Sequence, residues 1–185
     1  MRTSTPNLLL PAPGPYGSVP EHVPEAARGQ VARYLGAVEA TERQLHAALL
    51  LVAGRHEKNY EFARGATVLA LWSAEHLRWL SGPTSAYGSA EYEHAERLRA
   101  ALFSGTRVGV AGELADASDV ATLVQHAQML WTILVQGAKE LHDDRLVETA
   151  AQAREHSRRQ LAWLTTVIEH EAPDALAIAP SASGN

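Results

Sequence analysis

Residues 59–83, NYEFARGATVLALWSAEHLRWLSGP, combine a helix-forming composition with boundary signals at both ends. Asn59 is a favourable N-cap residue, and Glu61 falls in the first turn, where a negative charge interacts well with the helix dipole. Gly82-Pro83 is typical of a helix end. The stretch therefore predicts one long helix from Asn59 to about Leu80, and it sets the class of the fold.

Proline positions extend the helical interpretation to most of the chain. Six of the nine prolines lie in residues 6–24, and the others are Pro83, Pro173 and Pro180. Because proline disrupts helix interiors, the long proline-free spans rich in Ala, Leu, Glu and Arg predict helices. The predicted long helices are 24–54, 59–80, 120–141 and 144–171, and a short helix is predicted at 91–103.

The connections between these helices predict an all-α four-helix bundle of two helical hairpins. Residues 83–117 form a long crossover that contains the short extra helix, and SGTRVGVAGELADAS at 104–118 is predicted to be a loop. Ser118 or Asp119 would cap the third long helix, and Asp143 or Asp144 the fourth. The predicted organisation is an extended Pro-rich arm at 1–23, a helical bundle at 24–171 and a flexible tail at 172–185.

Composition excludes several functional classes. A net charge of −5 argues against nucleic-acid binding, and the absence of cysteine excludes disulfides and thiolate chemistry. No stretch has the apolar length of a membrane span, and the three leucines near the amino terminus are too few for a secretory signal. We therefore expect a cytoplasmic protein without a membrane or nucleic-acid partner.

Carboxylate and imidazole side chains recur inside the predicted helices. Glu42 interrupts the apolar stripe of the first helix, where leucine is more usual, and in the second helix an adjacent Glu-His pair lies between Trp72 and Trp79. Such oxygen and nitrogen donors can hold a metal ion when they converge between helices. We predict that Trp72 and Trp79 form the walls of a cofactor pocket. We predict metal ligands among seven residues: Glu42, His46, Glu75, His76, His126, Glu155 and His156.

Two hairpins joined by one long crossover resemble the ferritin-like superfamily across residues 24–171. The resemblance implies a metal site, with iron or another divalent metal held by Glu42, Glu75, His76, Glu155 and His156. The chain departs from the family pattern because Glu and His are adjacent where the family has Glu-x-x-His. Adjacent helical residues point about 100° apart, so each Glu-His pair converges poorly on one ion.

Several alternatives remain open from the sequence. The bundle could bind a metal ion or a small ligand, or it could bind no metal and act through self-association, as a homodimer, or by docking a protein partner through NLLLPAPGPYG at 7–17. The candidate ligands could instead have structural roles, the carboxylates in ion pairs and the histidines as core residues. Equal spacings of 80 residues, from His46 to His126 and from His76 to His156, leave an internal duplication open. Whether the protein is an enzyme is not decided.

Overall fold

The computed structural model describes residues 12–105 and 107–177, and these form five helices and no strand. The prediction of an all-helical protein is confirmed. The helices are α1 (Glu25–Arg55), α2 (Tyr60–Tyr87), α3 (His94–Leu102), α4 (Gly109–Glu140) and α5 (Asp144–Ala177). No helix within the described ranges is long and apolar enough to cross a membrane.

Four long helices surround one hydrophobic core. The short turns at 56–59 and 141–143 make α1–α2 and α4–α5 antiparallel hairpins, and the bundle closes where α1 packs on α4 and α2 on α5. The apolar stripe predicted for the first helix faces this core. Its members are all buried: Val31, Leu35, Val38, Leu45, Leu49 and Val52.

The segment between α2 and α4 follows the length of α1. Near the start of α1, the Ala90 N–H donates to the Ala32 carbonyl at 3.1 Å. Near its end, the Arg55 guanidinium donates to the Phe103 carbonyl at 3.2 Å. The segment lies so close to α1 that a Cβ on Gly36 would be 1.8 Å from the Ala90 carbonyl oxygen. Glycine at position 36 therefore permits this path.

Two predicted helix ends at proline are wrong. Helix α2 continues through Pro83 to Tyr87, and α5 continues through Pro173 to Ala177, six residues beyond the predicted end of the bundle. Pro83 and Tyr87 are buried in the core, so tertiary packing outweighs the local cost of proline. Helix α2 ends instead at Gly88, whose φ of 89° suits glycine.

The predicted loop at 104–118 is also wrong over most of its length, because α4 begins at Gly109. Arg107 donates to Asp116 within this stretch and to Asp119 just after it, and Glu113 accepts from Asn59. Ser118 and Asp119 therefore lie inside the helix rather than capping it. The cap predicted for the last helix is confirmed, since Asp143 accepts a hydrogen bond from the Leu146 N–H at 3.0 Å.

The described part of the predicted arm, residues 12–23, contains no helix and packs on its own bundle. Tyr16 and Tyr87 both donate to the Asp143 carboxylate, Tyr87 at 2.7 Å, and Val23 is buried. Burial and the Asp143 hydrogen bond raise the pKa of Tyr87 to about 12. The leucines of the proposed docking segment, at 8–10, lie outside the described residues, as does the end of the predicted tail at 178–185.

Candidate functional site

One side chain from each long helix contributes to a polar chain at the centre of the bundle: Glu42, His76, Trp131 and His156. All four are buried, with His156 the most accessible at 1%. Glu42 Oε1 lies 2.8 Å from Trp131 Nε1 and 3.0 Å from His76 Nδ1. On the other side of the same imidazole, His76 Nε2 lies 3.0 Å from His156 Nδ1. We call the hydrogen-bonded series from Glu42 through His76 to His156, with Trp131 bound to Glu42, the Glu42–His76–His156 chain.

The direction of the first hydrogen bonds follows from the chemistry of the groups. An ionised carboxylate can only accept, so Trp131 Nε1 and His76 Nδ1 both donate to the same oxygen of Glu42. Between the two imidazoles, either His76 Nε2 or His156 Nδ1 carries the shared hydrogen. The chain therefore links a carboxylate to a second imidazole through His76.

Aromatic rings enclose the two imidazoles. Trp72 stacks on His156 with ring centroids 4.8 Å apart, and Trp79 lies 5.4 Å from His76 and 5.3 Å from His156. Trp131 meets His76 edge-on at 5.8 Å. Trp79 is partly exposed whereas Trp72 and Trp131 are fully buried, so Trp79 separates the imidazole pair from solvent.

Several buried polar atoms at this site have no hydrogen-bond partner among residues 12–105 and 107–177. They include Glu42 Oε2 and His156 Nε2, one at each end of the chain, and Trp72 Nε1 beside it. A buried polar atom without a partner costs roughly 1–3 kcal/mol. A core that served packing alone would be more stable without these groups, which makes the site a candidate for function.

Burial and neighbouring charges shift two pKa values in the chain. Burial alone would raise the pKa of Glu42, but the charge of His76 and the hydrogen bonds from His76 and Trp131 lower it overall. Burial, reinforced by the charges of His76 and Arg159, lowers the pKa of His156 to about 4. At neutral pH the site therefore combines an ionised Glu42 with an uncharged His156.

The lowered pKa of His156 predicts that acid destabilises the protein. Between pH ~6.5 and pH ~4 the unfolded state binds a proton that the folded His156 does not. The contribution of His156 to the free energy of unfolding is therefore fully present above pH ~6.5 and is lost as the pH falls to ~4. A shift to about 4 corresponds to a loss of about 3 kcal/mol on acidification. Urea unfolding of the wild type and of His156→Phe across this pH range measures it. The difference between the two curves should slope with pH, and parallel curves would contradict the prediction.

Four of the seven predicted ligands lie away from this chain. Glu75 binds Arg78 at 3.2 Å on the surface of α2. Glu155 binds Arg158 and Arg159, and the Arg158 hydrogen bond is the main reason that its pKa is lowered to about 2. In both Glu-His pairs the histidine faces inward and the glutamate outward, as the 100° step between neighbours requires.

The two remaining histidines also have other partners. His46 Nδ1 donates to the Ala70 carbonyl at 2.9 Å. His126 lies beside Tyr92 and His94 between α3 and α4, where burial, followed by the charge of His94, lowers its pKa. Within 12–105 and 107–177, no group of three or more His, Cys, Asp or Glu side chains is arranged to hold a metal ion.

Two polar features of the structure have no signal in the local sequence. Trp131 has the ordinary pattern of a core residue, and nothing in its local sequence indicates that its indole N–H meets Glu42 from another helix. Asp116 is fully buried at the turn end of the bundle and accepts from Arg55 and Arg107, each at 3.1 Å, and from His56 at 2.8 Å. Arg55 and His56 lie 61 and 60 residues before Asp116, so no local spacing could predict the network.

Comparisons with protein-family models, with curated proteins and with solved structures gave no significant match. The proposed function therefore depends on the geometry of the Glu42–His76–His156 chain.

Proposed function

We propose that the protein is a ferritin-like helical bundle that binds one transition-metal ion, iron or another divalent metal, between His76 and His156. The observation that carries the proposal is the pair of imidazole nitrogens, His76 Nε2 and His156 Nδ1, which face each other at 3.0 Å inside the bundle. Imidazole nitrogen suits zinc, copper, iron and nickel. An ion at this position would take the place of the shared hydrogen.

Glu42 supports this proposal without being a ligand. A histidine that binds a metal usually donates its other ring N–H to a carboxylate, which fixes the ring and makes it a stronger donor. Glu42 has this relation to His76, because it lies 3.0 Å from Nδ1, the nitrogen away from His156. The same position rules out Glu42 as a third donor at this point without a rearrangement of the His76 ring.

The two imidazoles would supply only part of the coordination shell of a metal ion. Two imidazoles would fill two positions, one protein donor fewer than at catalytic zinc sites, and water or an exogenous ligand would complete the rest. Two nitrogens that share a tetrahedral ion are about 3.4 Å apart, so the rings would need to separate by a few tenths of an ångström. The partly exposed Trp79 covers both rings and marks the side from which an ion could approach.

The connectivity of the bundle supports the ferritin-like part of the proposal. Two antiparallel hairpins are joined by a segment that follows the length of α1, and ferritin-like folds have one long crossover of this kind. In those folds metal sites are built between the helices from inward-facing side chains. Glu42, His76 and His156 come from three of the four long helices and point to the same central region.

Metal reconstitution of untagged protein tests the proposal. The protein is stripped with a chelator, incubated anaerobically with Fe²⁺, Zn²⁺ or Co²⁺, and analysed by mass spectrometry for metal per chain. We expect about one ion per chain, lost in His76→Phe and in His156→Phe. His46→Ala and His126→Ala are matched controls, because these helical histidines do not belong to the Glu42–His76–His156 chain. Both variants should bind as much metal as the wild type does.

A second measurement keeps the proposal falsifiable if a phenylalanine variant does not fold. On addition of Zn²⁺ to the wild type, the ring nitrogen NMR signals of His76 and His156 should shift while those of His46 stay in place. A reconstituted protein that holds no metal, or one whose metal survives in both phenylalanine variants, would overturn the proposal. The imidazole contact would then be an ordinary buried hydrogen bond in a bundle without a metal site.

A further inference from the structure

The solvent-facing side of α4 is unusual because it lacks charge. No Asp, Glu, Lys or Arg occurs from Val120 to Ala138, more than half of the helix. The other long helices carry ion pairs on their outer sides, such as Arg43–Glu39 on α1, Arg78–Glu75 on α2 and Arg158–Glu155 on α5. A helix side that faces only water has no reason to exclude charge over this length.

The exposed residues of α4 form one continuous row along the helix. They recur at steps of three or four, the spacing of a single helix face. At the centre of this row, Met129 is 64% exposed and Ile133 is 41% exposed. We call the row the α4 stripe, and its members are Thr122, Gln125, Met129, Ile133, Gln136 and Glu140.

An apolar groove widens this surface toward α1. A cavity of about 290 Å³ lies between the first turns of α1 and the last turns of α4, with Val31 and Tyr34 on one side and Ile133 and Leu141 on the other. Its rim includes Gly137, where a Cβ would meet no atom within 4 Å. The surface is open there, and a neighbouring side chain could enter.

We propose that two copies of this chain pair through the α4 stripe, with the two α4 helices antiparallel about a two-fold axis. A two-fold contact brings the same surface together from both copies, so the surface must be compatible with itself. The stripe meets this condition when the axis passes beside position 131. Met129 of one chain then lies opposite Ile133 of the other, Gln125 opposite Gly137, and Thr122 opposite Glu140.

Charge favours a second copy over a different partner. No pair in this register places like charges together, and Glu140, the only acidic member of the stripe, faces a threonine. An acidic or basic partner would find no opposite charge between Val120 and Ala138. The stripe is roughly 27 Å long at 1.5 Å per residue.

Sedimentation equilibrium of the full chain tests the pairing. We expect a dimer for the wild type, and at least a roughly tenfold weaker dimer for Met129→Glu and for Ile133→Glu, because each brings two carboxylates to the centre of the contact. Both positions are exposed, so the variants should fold. Leu50→Glu and Leu71→Glu are matched controls, since they charge equally exposed leucines on α1 and α2 and should leave the dimer unchanged.

Cross-linking tests the register. The chain has no cysteine, so a single Ile133→Cys variant treated with a short bis-maleimide should give a covalent dimer, whereas Leu71→Cys should not. A chain that stays monomeric at 100 μM would overturn the proposal, and so would a dimer that both charged variants retain. A dimer lost only on removal of residues 1–11 would assign the contact to the amino-terminal segment instead.

Discussion

Asp116→Ala is expected to lower the free energy of unfolding by about 3–5 kcal/mol, one of the two largest losses that we predict for a single substitution. Asp116 is fully buried and accepts from Arg55, Arg107 and His56. Its removal leaves these donors without their shared acceptor and detaches the α3–α4 connection from the α1–α2 turn. Urea unfolding followed by circular dichroism measures the loss.

Asp119→Ala is the matched control, because Asp119 lies on the same helix and shares the partner Arg107. Its side chain is 18% exposed and Arg107 keeps Asp116, so we expect a loss below about 1 kcal/mol. Asp116→Asn should lie between the two, since the amide keeps one acceptor oxygen but loses the charge. Equal losses for the two alanine variants would show that burial of the carboxylate is not what stabilises this end of the bundle.

Much of the helical architecture was predictable because its signals are local. Proline-free spans, caps such as Asn59 and Asp143, and the apolar stripe of α1 depend on residues a few positions apart. The errors arose where distant contacts outweigh local preference. Pro83 stays inside α2 because the core buries it, and the start of α4 is helical because Asp116 and Asp119 bind Arg107.

The candidate site was predictable in part, for a similar reason. Glu42 stood out because a carboxylate replaced an apolar residue in a buried row. His76 and His156 were among the candidates, but so were their neighbours Glu75 and Glu155, since only the rotation of α2 and α5 about their axes decides which of two adjacent residues faces inward. That rotation depends on the packing of all four helices. The contribution of Trp131 depends on it too.

Glu42→Ala is expected to lower the free energy of unfolding by about 3–5 kcal/mol, the other large loss. The substitution removes the acceptor of both Trp131 Nε1 and His76 Nδ1 and leaves a cavity where four helices meet. Glu39→Ala, one turn earlier on α1, removes a partly exposed carboxylate that accepts from Arg43 and Ser89, and it should cost less than about 1 kcal/mol. A loss for Glu42→Ala no larger than for Glu39→Ala would contradict a stabilising role for the carboxylate.

Glu42→Gln separates the structural role of Glu42 from its proposed role behind a metal ligand. Both donors reach the same oxygen, Oε1, and Oε2 has no hydrogen-bond partner in the described part of the chain, so a glutamine carbonyl can accept both hydrogen bonds. We therefore expect a loss of only about 1 kcal/mol in unfolding free energy. The amide lacks the negative charge that strengthens His76 as a donor, so metal affinity should fall by about 10–100-fold. A folded Glu42→Gln protein that binds metal as tightly as the wild type would mean that Glu42 serves the hydrogen-bond network alone.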